Sequence, residues 1–328
     1  MSNSQKPRVF VSRTVFQDVI ARLSEEAEVD VWPEPLPPSY EELCRRARGC
    51  AGLFTLVTDR VDAGLMDAAP TLKVVGQMAV GFDNIDVAAA TERGIAVGNT
   101  PDVLSGTTAD FAFALLMAGA RRIVEGNRYV HEGRWQTWEP MGFMGQDIHG
   151  ATLGIIGLGR IGREMAKRAS GFDMKVLYHG GSPSEGCADA EEARSLDDLL
   201  ERSDFVTVHA PLTDATHHML GEAQFRRMKS TAVLINTARG PIVDQEALYH
   251  ALSDGEIAHA ALDVTDPEPI KMDDPLLTLD NVTIVPHIAS ASTAARRRMA
   301  EMTVDNILAG LRGEPLPTGV NNRELASV

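Results

Sequence analysis

The sequence predicts an α/β protein made of two doubly wound parallel sheets. Three observations predict it. The stretch Ala151 to Gly171 (ATLGIIGLGRIGREMAKRASG) runs from an apolar segment into three spaced glycines and then into a helical repeat. The first 100 or so residues alternate short apolar runs with amphipathic segments, the pattern of crossover-connected parallel strands. After Gly171 the same alternation resumes and continues to about residue 285.

The glycine stretch sets the frame. Thr152, Leu153, Ile155 and Ile156 form the apolar run, and Gly157-Leu158-Gly159-Arg160-Ile161-Gly162 follows at once. Ile161, Met165, Ala166 and Ala169 then fall at helical spacing, with Gly171 placed to end the helix. Strand, glycine turn and helix open a dinucleotide-binding βαβ unit. Gly157 permits the tight turn, Gly159 lets the backbone approach a pyrophosphate, and Gly162 lets helix and strand pack closely. The helix N-terminus offers N–H groups and a positive dipole end to the phosphates. The plainer alternative is a glycine-rich strand-to-helix turn in an ordinary core.

In chain order, strands are expected at Arg8 to Val11, Val29 to Trp32, Gly52 to Leu56, Leu72 to Gly76 and Ile95 to Gly98. Helices are expected at Val15 to Glu26, after the cap-like Ser39, and at Asp62 to Ala68, with a loop from Val80 to Asp86 entering a further helix. Pro33 to Pro38 reads as a loop. Asp102 to Glu132 reads as mostly helical, with Phe111 to Met117 apolar on nearly every side. The segment Arg134 to Phe143 carries Trp135 and Trp138 and reads as a packed arm or an oligomer contact. Six strands follow, at 152–156, 174–178, 204–208, 232–236, 258–263 and 282–285, with helices starting near Arg160, Ser195, Gly221 and Asp244. A last helix from Ser290 to Gly310 precedes a tail, Arg312 to Val328, with no strong element. The expectation is a discontinuous, flavodoxin-like substrate domain (residues 1–99 plus 290–328). A Rossmann-type dinucleotide domain (100–289) includes a dimerisation helix and arm (102–149), with a cleft between the domains.

Composition narrows the partners. The net charge of −15 disfavours nucleic acid and anionic membranes, and an anionic substrate needs local positive charge. The three cysteines, Cys44, Cys50 and Cys187, lack zinc-like spacing and suit free thiols in a reducing cytoplasm. No metal site is expected. The N-terminus lacks a signal-peptide core, and Phe111 to Ala120 is too short to span a bilayer.

In an open parallel sheet, ligands bind beyond the carboxyl ends of the strands. Those ends lead into the glycine turn, His179-Gly180-Gly181-Ser182, His209-Ala210-Pro211, Thr237-Ala238-Arg239-Gly240, Val264 to Pro269 with Glu268, and Pro286-His287-Ile288-Ala289-Ser290. Arg239, Glu268 and His287 therefore gather on one edge, a coherent set for reducing a 2-oxo acid. Arg239 can clamp a carboxylate with its planar fork. His287 can give a proton to the developing alkoxide. Glu268, set against the imidazole, favours its charged form. Singly, the three also read as a surface ion pair, a solvated loop acid and a satisfied core histidine; their joint placement favours chemistry.

The chain resembles the D-isomer-specific 2-hydroxyacid dehydrogenases nearly end to end. The resemblance is carried by Val80-Gly-Phe-Asp-Asn-Ile-Asp86, Asn99-Thr-Pro-Asp-Val-Leu104, Gly157 to Gly162, Asn236-Thr-Ala-Arg-Gly240, Leu262-Asp-Val-Thr-Asp-Pro-Glu-Pro269 and Pro286 to Ser290. Trp135-Gln-Thr-Trp138 and Leu311-Arg-Gly-Glu-Pro315 are similar to the glyoxylate/hydroxypyruvate reductase branch. The resemblance implies Arg239, Glu268 and His287 as substrate arginine, helper glutamate and acid/base histidine. It implies Val80 and Gly81 as backbone holders of the substrate carboxylate, beside Ser290. Asp263 stands near the nicotinamide carboxamide. Thr108, Pro211, Thr237, Ala238, Arg239, His287 and Ala289 stand along the cofactor, and Leu158 to Ile161 on its pyrophosphate. A homodimer is implied, with Trp138 entering the neighbouring subunit's site. Other 2-oxo acids (3-phosphohydroxypyruvate, pyruvate, 2-ketogluconate) stay open, as does a non-catalytic dinucleotide sensor. The formate dehydrogenase branch is disfavoured, since it has Gln where Glu268 stands.

An NAD-selective site usually has an acid about 20 residues after the glycines. Here the count reaches His179 to Ser182, and Asp173 lies at the wrong end of the strand. Absence of that acid removes a repulsion of roughly 3 kcal/mol per unit of phosphate charge at about 5 Å and an effective dielectric of about 20. NADP-using relatives often carry arginine at this point, and this stretch has none. Backbone N–H groups of Gly180 to Ser182 and the Ser182 hydroxyl are the expected substitutes. NADPH is the expected cofactor, with NADH as the alternative.

Overall fold

The computed structural model describes residues 6–183, 187 and 189–326. The first half of the chain runs β1 (Arg8–Val11), α1 (Gln17–Ser24), β2 (Glu28–Val31), α2 (Tyr40–Ala47), β3 (Gly52–Thr55), α3 (Ala63–Ala68), β4 (Val74–Gln77), α4 (Val87–Glu92) and β5 (Ala96–Gly98). Next come α5 (Ser105–Ala120), α6 (Ile123–His131), β6 (Thr152–Leu158), α7 (Arg160–Ser170), β7 (Lys175–Gly181), β8 (Glu191–Glu192), α8 (Leu196–Arg202) and β9 (Phe205–Val208). The remainder is α9 (Glu222–Phe225), β10 (Val233–Asn236), α10 (Gln245–Ser253), β11 (His259–Leu262), β12 (Val282–Ile284), α11 (Thr293–Arg312) and α12 (Asn322–Leu325). Among the described residues no helix is long and apolar enough to cross a membrane.

The chain divides into two compact units, Met1–Leu104 with Ser292–Val328, and Ser105–Ala291. In the first, five parallel strands stand in the order β2-β1-β3-β4-β5, a flavodoxin-like arrangement. Side-chain caps start α2 and α3: Ser39 accepts from Glu42 N at 3.2 Å, and Asp62 accepts from Leu65 N at 3.0 Å. Helix α11 lies directly on this sheet. A Cβ on Gly76 of β4 would stand 2.7 Å from Ile307, so the missing side chain is what admits the helix. The tail is not featureless: Val320 N donates to Val97 O at 2.7 Å, and the Asn321 side chain accepts from Val97 N at 2.9 Å.

The second unit has a seven-stranded sheet, β12-β11-β10-β9-β6-β7-β8, parallel at every pairing. Its faces are covered by two apolar clusters, one with α5 and α7, the other with α8 and α10. Three differences from the sequence reading stand out. The long helix is two, broken where Arg122 adopts a left-handed φ of +52°. Strand β7 runs on to Gly181, paired with Leu158, so His179 to Gly181 belong to the strand. Strand β8, only Glu-Glu, is too short and too acidic to leave a hydrophobic signature. In the single chain, Asp110, Ala114 and Met117 form an exposed stripe on α5.

His259 of β11 is buried, its Nε2 3.0 Å from Thr283 Oγ1, and burial pushes its imidazole down to about 4 from the ordinary 6.5. The unfolded chain binds that proton as pH falls through 6.5, and the folded chain does not until about 4. The stabilisation is therefore complete above about 6.5 and lost on acidification, about 2 kcal/mol by roughly pH 5. A His259→Gln variant is expected to lose less stability than the parent between about pH 7 and pH 5, read from denaturant midpoints. Equal losses would rule the histidine out as the acid-sensitive group.

Candidate active site

Because the second sheet is parallel, the loops after β6, β9, β10, β11 and β12 emerge on one edge. Gly157 makes the first turn at φ +94°, and a Cβ there would stand 2.7 Å from Ala210 N on the loop after β9. Gly159 differs: apart from its chain neighbours, no atom of the described residues lies within 4 Å of where its Cβ would be. Nothing in the fold forbids a side chain there, which suits a backbone left bare for a ligand. Gly159 also caps α7 without a side-chain bond, so the first-turn N–H groups of an 11-residue helix are not taken up by a cap side chain. Thr237 Oγ1 and His209 Nδ1, on the loops after β10 and β9, are buried with no hydrogen-bond partner among the described residues. Orphaned buried polar atoms cost free energy and point to a group that completes them. The edge therefore fits a dinucleotide.

The loop after β10 is clamped from within. Asn236 Nδ2 donates to Arg239 O at 2.9 Å, and Ala238 N donates back to Asn236 Oδ1 at 3.0 Å. Arg239 is half-buried, with Nη1 donating to Ala238 O at 2.8 Å. Gly240 packs against the Thr265–Asp266 backbone so closely that a Cβ would overlap it. That contact ties the arginine loop to the glutamate loop.

The loop after β11 carries cis peptide bonds at Asp266-Pro267 and Glu268-Pro269. Gln245 of α10 anchors it, accepting from Asp266 N at 3.0 Å. Glu268 Oε1 lies 2.5 Å from His287 Nδ1, with side-chain exposures of 38% and 29%. A carboxylate only accepts, so Nδ1 donates and Nε2 is the nitrogen left to face a reactant. His287 itself has a left-handed φ of +52°. Asp263 holds it there. The Asp263 backbone accepts from His287 N at 3.0 Å, and its two carboxylate oxygens accept from Ile288 N and Ala289 N at 2.7 and 2.8 Å. Burial pushes the Asp263 carboxyl above its usual range against the opposing pull of those two N–H groups.

Thr108 is buried in α5, Pro211 follows β9, and Ser290 is half-buried after β12. Trp138 is 79% exposed. Val80 and Gly81 belong to the first unit, after β4. Asn99 Nδ2 holds Val80 O at 2.8 Å, and Gln77 Nε2, at 2.8 Å from Asn84 Oδ1, braces the same loop. Asn236 and Asp263 escape notice as loop clamps when the chain is read linearly. Their only signal is a polar residue closing an otherwise apolar strand.

Residues 113–289 match the model of the D-isomer specific 2-hydroxyacid dehydrogenase NAD binding domain. The chain belongs to the D-isomer-specific 2-hydroxyacid dehydrogenases. It is 52% identical to the glyoxylate reductase of Korarchaeum cryptofilum, over 98% of each chain. The TT0316 protein of Thermus thermophilus superposes with a TM-score of 0.90 at 46% identity, covering 95% of this chain and 99% of that one. An NADPH-dependent glyoxylate/hydroxypyruvate reductase of Sinorhizobium meliloti superposes with a TM-score of 0.82 at 33% identity, over 97% and 98% of the two chains. This dehydrogenase is thus an oxidoreductase using a nicotinamide dinucleotide.

Proposed function

We propose that this dehydrogenase reduces glyoxylate or hydroxypyruvate to the 2-hydroxy acid with NADPH. The observation that carries the reading is the Glu268–His287 pair, 2.5 Å apart, on the same sheet edge as the dinucleotide turn. The nicotinamide ring, when bound, supplies the hydride. The remaining work falls on side chains and backbone of this chain. Arg239 grips the substrate carboxylate with two parallel N–H donors. Within the first unit, the backbone of Val80 and Gly81 after β4 is the segment assigned to carboxylate binding. His287 Nε2 gives its proton to the carbonyl oxygen as that oxygen gains charge, and Glu268, bonded to Nδ1, fixes the ring. Asp263 positions the loop that bears His287.

NADPH is favoured because, among the described residues, the end of β7 (His179 to Pro183) carries no carboxylate to repel a 2′-phosphate. A homodimer is favoured by exposed Ile123, Val130, Trp135, Trp138, Met141 and Met144, an apolar set that a second copy would cover, with Trp138 reaching toward the partner's site. The odd count of three cysteines without zinc-like spacing favours a cytoplasmic location, which fractionation would test.

With glyoxylate, the purified protein is expected to consume NADPH rapidly, read by its near-ultraviolet absorbance, and NADH more slowly, and to elute at twice 35.4 kDa by light scattering. Faster use of NADH would overturn the cofactor reading alone. No turnover of either cofactor with glyoxylate or hydroxypyruvate would remove the reductase reading.

A further inference from the structure

We infer that Arg163 is the residue that recognises the 2′-phosphate of NADPH; this rests on the NADPH reading above. Arg163 sits one residue beyond the glycine turn, in the first turns of α7, where its N–H bonds back to Gly159 O at 3.0 Å. Its side chain crosses to the end of β7. Nε and Nη2 donate to Ser182 O at 3.1 and 2.9 Å, and Nη2 stands 3.3 Å from Ser182 Oγ. An arginine thus reaches the place where an NAD-selective site would carry its acid, supplied from the helix instead of the loop.

The surrounding backbone explains how. Gly180 and Gly181 have φ of +76° and +89°, and a Cβ on Gly181 would stand 2.8 Å from Leu158 backbone atoms. Two glycines let β7 lie against the glycine turn, so Ser182 falls within reach of the helix. Among the described residues, a Cβ on Gly180 would meet nothing within 4 Å, room that a ribose and its phosphate would use. The acids on the neighbouring strand have other contacts: Glu191 accepts from Arg202 at 2.8 Å, and Glu192 lies 3.4 Å from the Tyr178 hydroxyl. The Ser182 carbonyl orients the guanidinium through Nε and Nη2. The Nη1 edge, outside those bonds, and the Ser182 hydroxyl then form a cationic, hydrogen-bonding pair suited to a phosphate dianion.

The test is cofactor affinity without oxo acid, by fluorescence titration of NADPH and NADH, with 2′,5′-ADP and 5′-AMP titrated by calorimetry. Arg163→Gln keeps a donor for the Ser182 carbonyl and removes the charge. It is expected to weaken NADPH and 2′,5′-ADP about 10- to 100-fold while leaving NADH and 5′-AMP within about threefold. Arg163→Lys should retain part of the preference. A parent protein that binds NADH more tightly than NADPH would sink both the NADPH reading and this assignment. A parent that prefers NADPH beside an Arg163→Gln variant that keeps the preference, or that loses both cofactors equally, would sink the Arg163 assignment alone.

Discussion

His287→Ala is expected to lower kcat by about 10²- to 10⁴-fold, the usual worth of a positioned general acid. The magnitude follows from the geometry. One nitrogen of the ring is committed to Glu268 at 2.5 Å, so the other is aimed rather than free to rotate. The ring also sits on a residue with left-handed backbone, held by Asp263. Alanine removes the proton donor without touching the glycine turn, so NADPH affinity should stay within a factor of about three. Glu268→Gln is the companion experiment. It preserves size and a hydrogen bond and removes only the charge, and a smaller fall in kcat than with His287→Ala is expected. Should His287→Ala turn over at the parental rate, the proton comes from elsewhere and the assignment fails.

Arg239→Ala is expected to reduce kcat/KM for glyoxylate by about 10²- to 10³-fold, mostly through KM. Loss of one partner from a desolvated, hydrogen-bonded charge pair costs about 2–5 kcal/mol. The net charge of −15 sharpens the effect, since the protein's overall field repels an anionic substrate and a local cation must offset it. Arg239→Lys keeps the charge and loses the planar fork, so it should fall between parent and alanine. If KM is unmoved in both variants, the carboxylate is held by other groups and the Arg239 assignment fails.

The sequence carried the elements and the chemistry at separate levels. Glycine spacing at 157, 159 and 162 exposes a dinucleotide turn because backbone approach and tight packing are demands that only glycine meets. Apolar alternation located the strands because parallel strands are buried on both faces. The parallel order then brought Arg239, Glu268 and His287 to one edge by topology alone. Three motifs far apart in the chain could thus be read as one site.

What the linear chain could not decide was contact between side chains from different loops. That His287 faces Glu268 depends on a left-handed residue and on Asp263 folding over the loop, neither of which has a periodic signature. Asn236 clamps the arginine loop in the same way. At the end of β7 the local sequence has no arginine, and one nevertheless arrives, because two glycines allow the strand to continue beside the turn and bring Ser182 to Arg163. Local patterns encode strands, helices and turns through short-range sterics and burial. Proximity across loops is set by how the sheet packs, and only the folded chain expresses it.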